Sequence, residues 1–158
     1  MVAEKPSIAQ TIADALSDNK ATKRKGRSPV CPVFDYEGKI CGKNAQFRVT
    51  SVAGHIYNRD FPAKYSSWEK TDPVELFNAE TIKKEANSKM KLIYHLAAEA
   101  RDCSLLILWL DCDREGENIC FEVMSIVQPV MRRENFKQIY RAQFSSLVKA
   151  DLKKAFQS

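Results

Sequence analysis

The feature that most constrains this chain is the run Leu105 to Leu110, apolar at every position and followed at once by Asp111, Cys112, Asp113, Arg114, Glu115, Gly116 and Glu117. A half-exposed strand alternates apolar and polar residues, so an unbroken run of this length predicts a strand covered on both faces, as in a parallel sheet between helices. The acidic residues then lie at the strand's carboxyl end, where open α/β sheets bind ligands. Residues two apart in an extended chain project to one side, which predicts that Asp111 and Asp113 point together and Cys112 points away. Ile119, Val123, Ile126 and Val127 continue at helical spacing, and Gly116 lets the backbone turn closely into that helix.

Clustered carboxylates repel one another and are neutralised by a hard divalent cation, so the spacing predicts a metal site. Two other readings compete. Acidic residues at a helix start also complement the positive end of its dipole. In addition, Asp111, Asp113, Glu115, Gly116 and Glu122 fall at positions 1, 3, 5, 6 and 12 of a calcium-binding EF-hand loop. Against the EF-hand, Asn118 stands where that loop has an apolar residue, and a short buried run precedes it instead of an amphipathic helix.

Upstream, Met1-Val2-Ala3 reads as the end of a strand, and Pro6 belongs in the first turn of a helix carrying Ile8, Ile12 and Leu16. Glu4 is then either an ordinary first-turn acid or the counterpart of Asp111 at a second strand-to-helix corner of one site. Residues 17–29 read as a mobile loop, and Val30 to Glu37 with Ala45 to Val52 as a hairpin turning at Glu37-Gly38-Lys39. His55, after Gly54, is either structural or within reach of a phosphate. Residues 57–77, with Pro62, Trp68 and Pro73, read as an ordered surface excursion, and Thr81 to Ala100 as a helix. A turn over Arg132 to Asn135, a strand from Phe136 to Phe144 and a helix capped by Ser145 or Ser146, with Leu147, Leu152 and Phe156, complete the chain.

Composition narrows the classes. With 158 residues, 44% of them hydrophobic and 28% charged, the chain has the makings of one domain with a core. It has no apolar stretch of the roughly 20 residues that span a bilayer and no apolar leader, so no membrane role is expected. The five cysteines are odd in number and include no Cys-x-x-Cys pair, which argues for a reducing compartment, neither a disulfide framework nor a zinc ribbon. The net charge of +5 is concentrated in two segments: Lys20, Lys23, Arg24, Lys25 and Arg27, then Arg132, Arg133, Lys137, Arg141, Lys149, Lys153 and Lys154. An anionic polymer is the expected partner.

Glu4-Lys5-Pro6-Ser7, Gly54-His55 and Leu110-Asp111-Cys112-Asp113-Arg114-Glu115-Gly116-Glu117-Asn118 together resemble the Toprim domain of type IA DNA topoisomerases. Val2 to Ser7, Thr50-Ser51-Val52, Lys83 to Asn87 and Asn118 to Val123 are most similar to the beta form of eukaryotic topoisomerase III. The resemblance spans essentially the whole chain and implies a single Toprim domain over residues 1–158, a fragment of a larger topoisomerase. Its fold would be α/β, a Rossmann-like and mainly parallel sheet flanked by helices with an inserted hairpin. It further implies that Asp111 and Asp113 hold Mg²⁺ with help from Glu4 or Glu115. Glu4 would exchange a proton with the ribose 3′ oxygen, and Lys5 would steady the scissile phosphate.

The implied reaction cuts and rejoins single-stranded DNA, with RNA a second candidate, through a tyrosine that becomes linked to a 5′-phosphate. None of Tyr36, Tyr57, Tyr65, Tyr94 or Tyr140 sits in the family's Ser/Thr-Tyr-x-Arg context, so the nucleophile is expected in another topoisomerase domain and the isolated chain is expected to be inactive. Gln143 replaces a common arginine, Leu147-Val148 a common Ile-Thr, and the family's first strand starts several residues earlier. An accessory protein and an intracellular location, nuclear or cytoplasmic, are also implied. The alternatives are a self-contained Toprim nuclease or primase, and a docking module without catalysis.

Overall fold

The computed structural model describes residues 1–67, 69–134 and 138–157. Trp68, the Asn135 end of the expected turn, and Phe136 and Lys137 of the expected last strand lie outside the described residues. In chain order the elements are β1 (Val2–Ala3), α1 (Pro6–Ser17), β2 (Thr22–Arg24), β3 (Val33–Ile40), β4 (Lys43–Ser51), β5 (Tyr57–Asp60), α2 (Pro73–Asn78) and β6 (Ile82–Glu85). They continue with α3 (Leu92–Ala100), β7 (Leu106–Trp109), α4 (Arg114–Val127), β8 (Ile139–Arg141) and α5 (Lys149–Gln157).

One sheet of six strands runs in the order β2-β3-β4-β1-β7-β8. β1 pairs in parallel with β4 and β7, and β7 with β8, while β2-β3 and β3-β4 are antiparallel. This is the expected parallel α/β sheet with an inserted hairpin. The apolar run of β7 is explained by a core on each face. Leu106 and Leu108 pack with Leu96, Ile119 and Val123 on the α3 and α4 side, whereas Ile107 and Trp109 pack with Ile12, Phe34 and Leu152 on the α1 and α5 side. Each large apolar side chain so buried contributes roughly 1.5–3 kcal/mol. No helix among the described residues is long and apolar enough to cross a membrane.

Four local expectations are corrected. The mobile loop over 17–29 instead contains β2, fixed because Arg24 donates to Asp35 at 2.6 Å and to both Glu99 oxygens at 3.0 and 2.6 Å. The hairpin turns at Cys41-Gly42, both with positive φ (50° and 75°), because pairing runs past Gly38 to Ile40 opposite Lys43. The amino end of the expected helix over 81–100 is β6, paired with β5 and supported by Lys84 to Asp60 at 3.2 Å and by Lys83 over the Tyr57 ring at 4.0 Å. At the carboxyl end, Ser146 Oγ accepts from the Val148 N–H and donates to Asp151, but Leu147 precedes α5 and is 43% exposed, while Leu152 is fully buried.

Candidate functional site

Register builds the site. Ala3 lies opposite Trp109 in the parallel pair β1-β7, so the chains leave the sheet side by side, one into Glu4 and the other through Leu110 into Asp111. Burial raises the Glu4 carboxyl above its ordinary pKa, and the charge of Asp111 adds to this. A hydrogen bond from the Asp111 main-chain N–H and the charge of Lys5 oppose the rise, and Asp113 reinforces it. Glu4, Asp111 and Asp113 therefore share one electrostatic neighbourhood, with Lys5 exposed at the amino end of α1.

The acidic stretch is shaped by α4. Asp113 is the helix N-cap, its Oδ1 accepting the Gly116 N–H at 2.7 Å, and Glu115 and Glu117 stand in the first turn. The helix-start reading thus describes part of the motif. Gly116 is required by space: a Cβ there would meet the Asp111 carbonyl oxygen at 2.0 Å. Glu115 is 3.5 Å from His55 Nε2, and His55 Nδ1 faces Glu122 at 3.3 Å. Glu122 also accepts the Ile56 N–H at 2.8 Å from within the helix. That commitment, and the strand that precedes the motif, overturn the EF-hand reading.

From the other neighbouring strand, Arg141 of β8 donates to the carbonyls of Leu110 at 2.7 Å and Asp111 at 2.8 Å, and through Nε to Glu117 at 2.9 Å. Cys112 Sγ lies 3.9 Å from the same guanidinium, and Cys112 and Asp113 line one open hollow beside Arg141. Sequence reasoning placed Arg141 on the last strand as basic charge and did not foresee these carbonyl contacts. Its place at the carboxyl end of a strand parallel to β7 was the available signal.

Residues 1–147 match the family model for the Toprim domain. The chain belongs to the Toprim family. This Toprim domain is 48% identical over 155 residues to DNA topoisomerase 3-beta-1 of Homo sapiens, an alignment covering 96% of the chain and 18% of the human protein. It is 49% identical over 155 residues to DNA topoisomerase 3-beta of Arabidopsis thaliana, covering 98% of the chain and 18% of that protein. With DNA topoisomerase 3-alpha of Arabidopsis thaliana it shares 40% identity over 157 residues, covering 99% and 17%. The chain thus spans about 18% of the length of the first of these curated relatives.

Among the described residues of the Toprim domain, no three His, Cys, Asp or Glu side chains converge closely enough to enclose a metal ion. The donor set still fits Mg²⁺, which takes oxygen ligands, keeps several waters and is commonly held by one or two carboxylates. A hollow of about 1160 Å³ lies at the amino ends of β1 and β7, lined by Met1, Arg48, Ser104 and Leu105, away from the acidic corner. Part of the basic charge is spent internally: Arg24 on Asp35 and Glu99, and Lys149 and Lys153 on Asp18 at 2.9 and 2.8 Å.

Proposed function

We propose that this chain is the Mg²⁺-binding module of a type IA topoisomerase of the topoisomerase III kind, one domain that acts on single-stranded DNA, with RNA as a second substrate, inside the cell. The observation that carries the reading is the register that puts Glu4 and Asp111 at the adjacent carboxyl ends of β1 and β7, where the charges of Asp111 and Asp113 both act on Glu4. The relatives' name supports DNA as the polymer. Asp111 and Asp113 would hold Mg²⁺, assisted by Glu4 or by Glu115 once it leaves His55. When bound, the ion supplies charge neutralisation at the carboxylates and at phosphate oxygens.

The remaining work falls to the chain's own groups. Glu4, its pKa raised by burial and by Asp111, suits proton exchange with the ribose 3′ oxygen, because an effective acid–base group titrates closer to the working pH than a solvated carboxylate does. Lys5 is exposed beside it and can reach a phosphate. The nucleophile is a tyrosine supplied by another domain, since a covalent link needs a group held about 3–3.5 Å from phosphorus.

Incubating the chain with end-labelled single-stranded DNA and Mg²⁺, followed by a denaturing gel, tests the division of labour. Neither cleavage nor a covalent adduct is expected. NMR titration with Mg²⁺ should shift Glu4, Asp111 and Asp113. A denaturant-resistant adduct refutes the missing nucleophile, and cleavage without an adduct, abolished by Asp111→Asn, establishes a nuclease instead.

A further inference from the structure

A basic residue at the carboxyl end of a strand, beside an acidic corner and a nucleic-acid substrate, invites assignment as a phosphate ligand. Arg141 occupies that position and lines an open hollow of about 570 Å³ together with Arg114 and Gln143. Its hydrogen bonds say otherwise. A guanidinium carries five N–H groups, one on Nε and two on each terminal nitrogen. Nε faces Glu117 Oε1 at 2.9 Å; Nη1 faces the Leu110 carbonyl at 2.7 Å and the Ala142 carbonyl at 3.0 Å; Nη2 faces the Asp111 carbonyl at 2.8 Å and Glu117 Oε1 at 2.8 Å. Each of the three nitrogens has an acceptor within the protein, the side chain is only 20% exposed, and three of the acceptors are main-chain oxygens that cannot turn away.

We infer that Arg141 is a positioning residue for the acidic corner: it fixes the Leu110 and Asp111 carbonyls from the β8 side and ties them to Glu117 in the first turn of α4, and it does not contact substrate phosphate. The inference rests on the Mg²⁺ reading for its consequence and on the hydrogen bonds for its substance. The geometry explains why a long, forked cation is needed. Lysine carries the same charge but presents a single nitrogen with three donors, which cannot serve acceptors on two strands and a helix together. The hollow's remaining polar side chains, Arg114 and Gln143 among them, are then the groups left to meet a bound strand.

Arg141→Gln and Arg141→Lys, made in the 158-residue chain, separate the roles. Outer partners of metal ligands are worth about 10–100-fold in metal affinity, so calorimetric titration with MgCl₂ should show a loss of that size in both variants, with no rescue by lysine. The salt dependence of binding to a labelled oligodeoxythymidine should keep its wild-type slope in Arg141→Gln, whereas losing a phosphate contact lowers that slope by about one. In metal-free NMR spectra of both variants, the amide resonances of residues 111–117 should move. Wild-type Mg²⁺ affinity in Arg141→Lys, or a reduced salt slope in Arg141→Gln, overturns the inference.

Should Arg141→Gln fail to fold, Glu117→Gln removes the ion pair while leaving the strand contacts. It should shift the Asp111 and Cys112 resonances, and unshifted resonances there also overturn the inference. If the wild-type chain takes up no Mg²⁺, the metal reading falls on its own. The metal-free resonances then decide the positioning role, which stands if they move and falls if they do not.

Discussion

Replacing Gly116 with alanine sets two physical effects against each other at the acidic corner. Gly116 lies in the first turn of α4, and alanine is the better helix former by about 0.8–1.0 kcal/mol, so propensity alone makes the change stabilising. Packing opposes it. The added Cβ would stand 2.0 Å from the Asp111 carbonyl oxygen and must retreat by about 1.4 Å to reach the 3.4 Å at which ordinary contact begins. The obstacle is backbone, and Arg141 donates to that same carbonyl, so no rotamer change absorbs the clash. Overpacking of this kind costs about 1–3 kcal/mol, and separating helix from loop also weakens the cap from Asp113 to the Gly116 N–H, worth about 1 kcal/mol. Set against the propensity gain, the net expectation is a loss of about 1–3 kcal/mol. Urea unfolding of wild type and Gly116→Ala measures it, and Mg²⁺ titration of the variant should show weaker binding because the carboxylates have moved. A variant as stable as wild type, or more so, with unchanged Mg²⁺ response would refute the argument.

The other expected outcomes concern charge. Asp111→Asn combined with Asp113→Asn should weaken Mg²⁺ binding with the fold kept, since asparagine caps a helix about as well as aspartate; equal affinities by calorimetry would contradict the site. Glu4→Gln should stabilise the metal-free chain at neutral pH, because burial and the Asp111 charge disfavour the ionised form, and a destabilised variant would count against that environment. His95 is fully buried, its Nδ1 accepting the Arg27 and Ser28 N–H groups at 3.0 and 3.3 Å and its Nε2 meeting Thr50 Oγ1 at 2.7 Å. Burial, opposed by Glu99 and reinforced by Arg24, pulls its pKa from 6.5 to about 4. The folded state therefore binds fewer protons than the unfolded state between those values. Its contribution is complete above pH 6.5 and falls as pH drops toward 4, a loss of about 2 kcal/mol at pH 5. His95→Gln should flatten that part of the urea stability profile, and parallel profiles for variant and wild type would exclude the mechanism. Binding to single strands should be weak and fall steeply with salt, so salt-insensitive anisotropy would rule out a phosphate-dominated contact.

The parts of the fold that were legible in the sequence are those whose signal is local. Leu105 to Leu110 announces a doubly covered strand by itself, and Ile119, Val123, Ile126 and Val127 mark the buried stripe of α4 at 3.6-residue spacing. β6 was misread because Ile82 to Glu85 has no strand pattern of its own; its partner β5 lies more than twenty residues away and the pair is held by Lys84 on Asp60. β2 was missed for the same reason, since Arg24 finds Asp35 and Glu99 only in the folded chain. At the site, Glu4 and Asp111 were legible because a strand end followed by a helix start has a fixed place in an α/β sheet. Arg141 was not, because a residue's charge does not reveal whether carbonyls have already taken its donors. Glu122 has the spacing of an EF-hand ligand, a reading already disfavoured by Asn118 and the preceding buried run, and the fold shows its carboxylate accepting the Ile56 N–H instead.

The acidic corner is set by pairing register more than by loop conformation. β1 is only two residues long, yet it is gripped on both sides: Val2 and Ala3 lie opposite Thr50 and Ser51 on one flank and Leu108 and Trp109 on the other. Moving β1 by one residue would turn Val2 and Ala3 to the opposite cores and carry Glu4 away from Asp111, and both cores resist such a slip. The same sheet carries Arg141 on β8, in register with Leu108, so the carboxylates and the residue that steadies them are fixed by three parallel neighbours. Repulsion among Glu4, Asp111 and Asp113 would open a flexible loop. Here it acts against the sheet register, the Asp113 cap and the Arg141 contacts, which together keep the acids close in the absence of a cation. Residues 57–90, whose two strands form a separate sheet, follow His55 and Ile56, which contact Glu115 and Glu122 of α4. Sequence change in that excursion should accordingly leave the carboxylates in place, whereas a single methyl group at Gly116 should not.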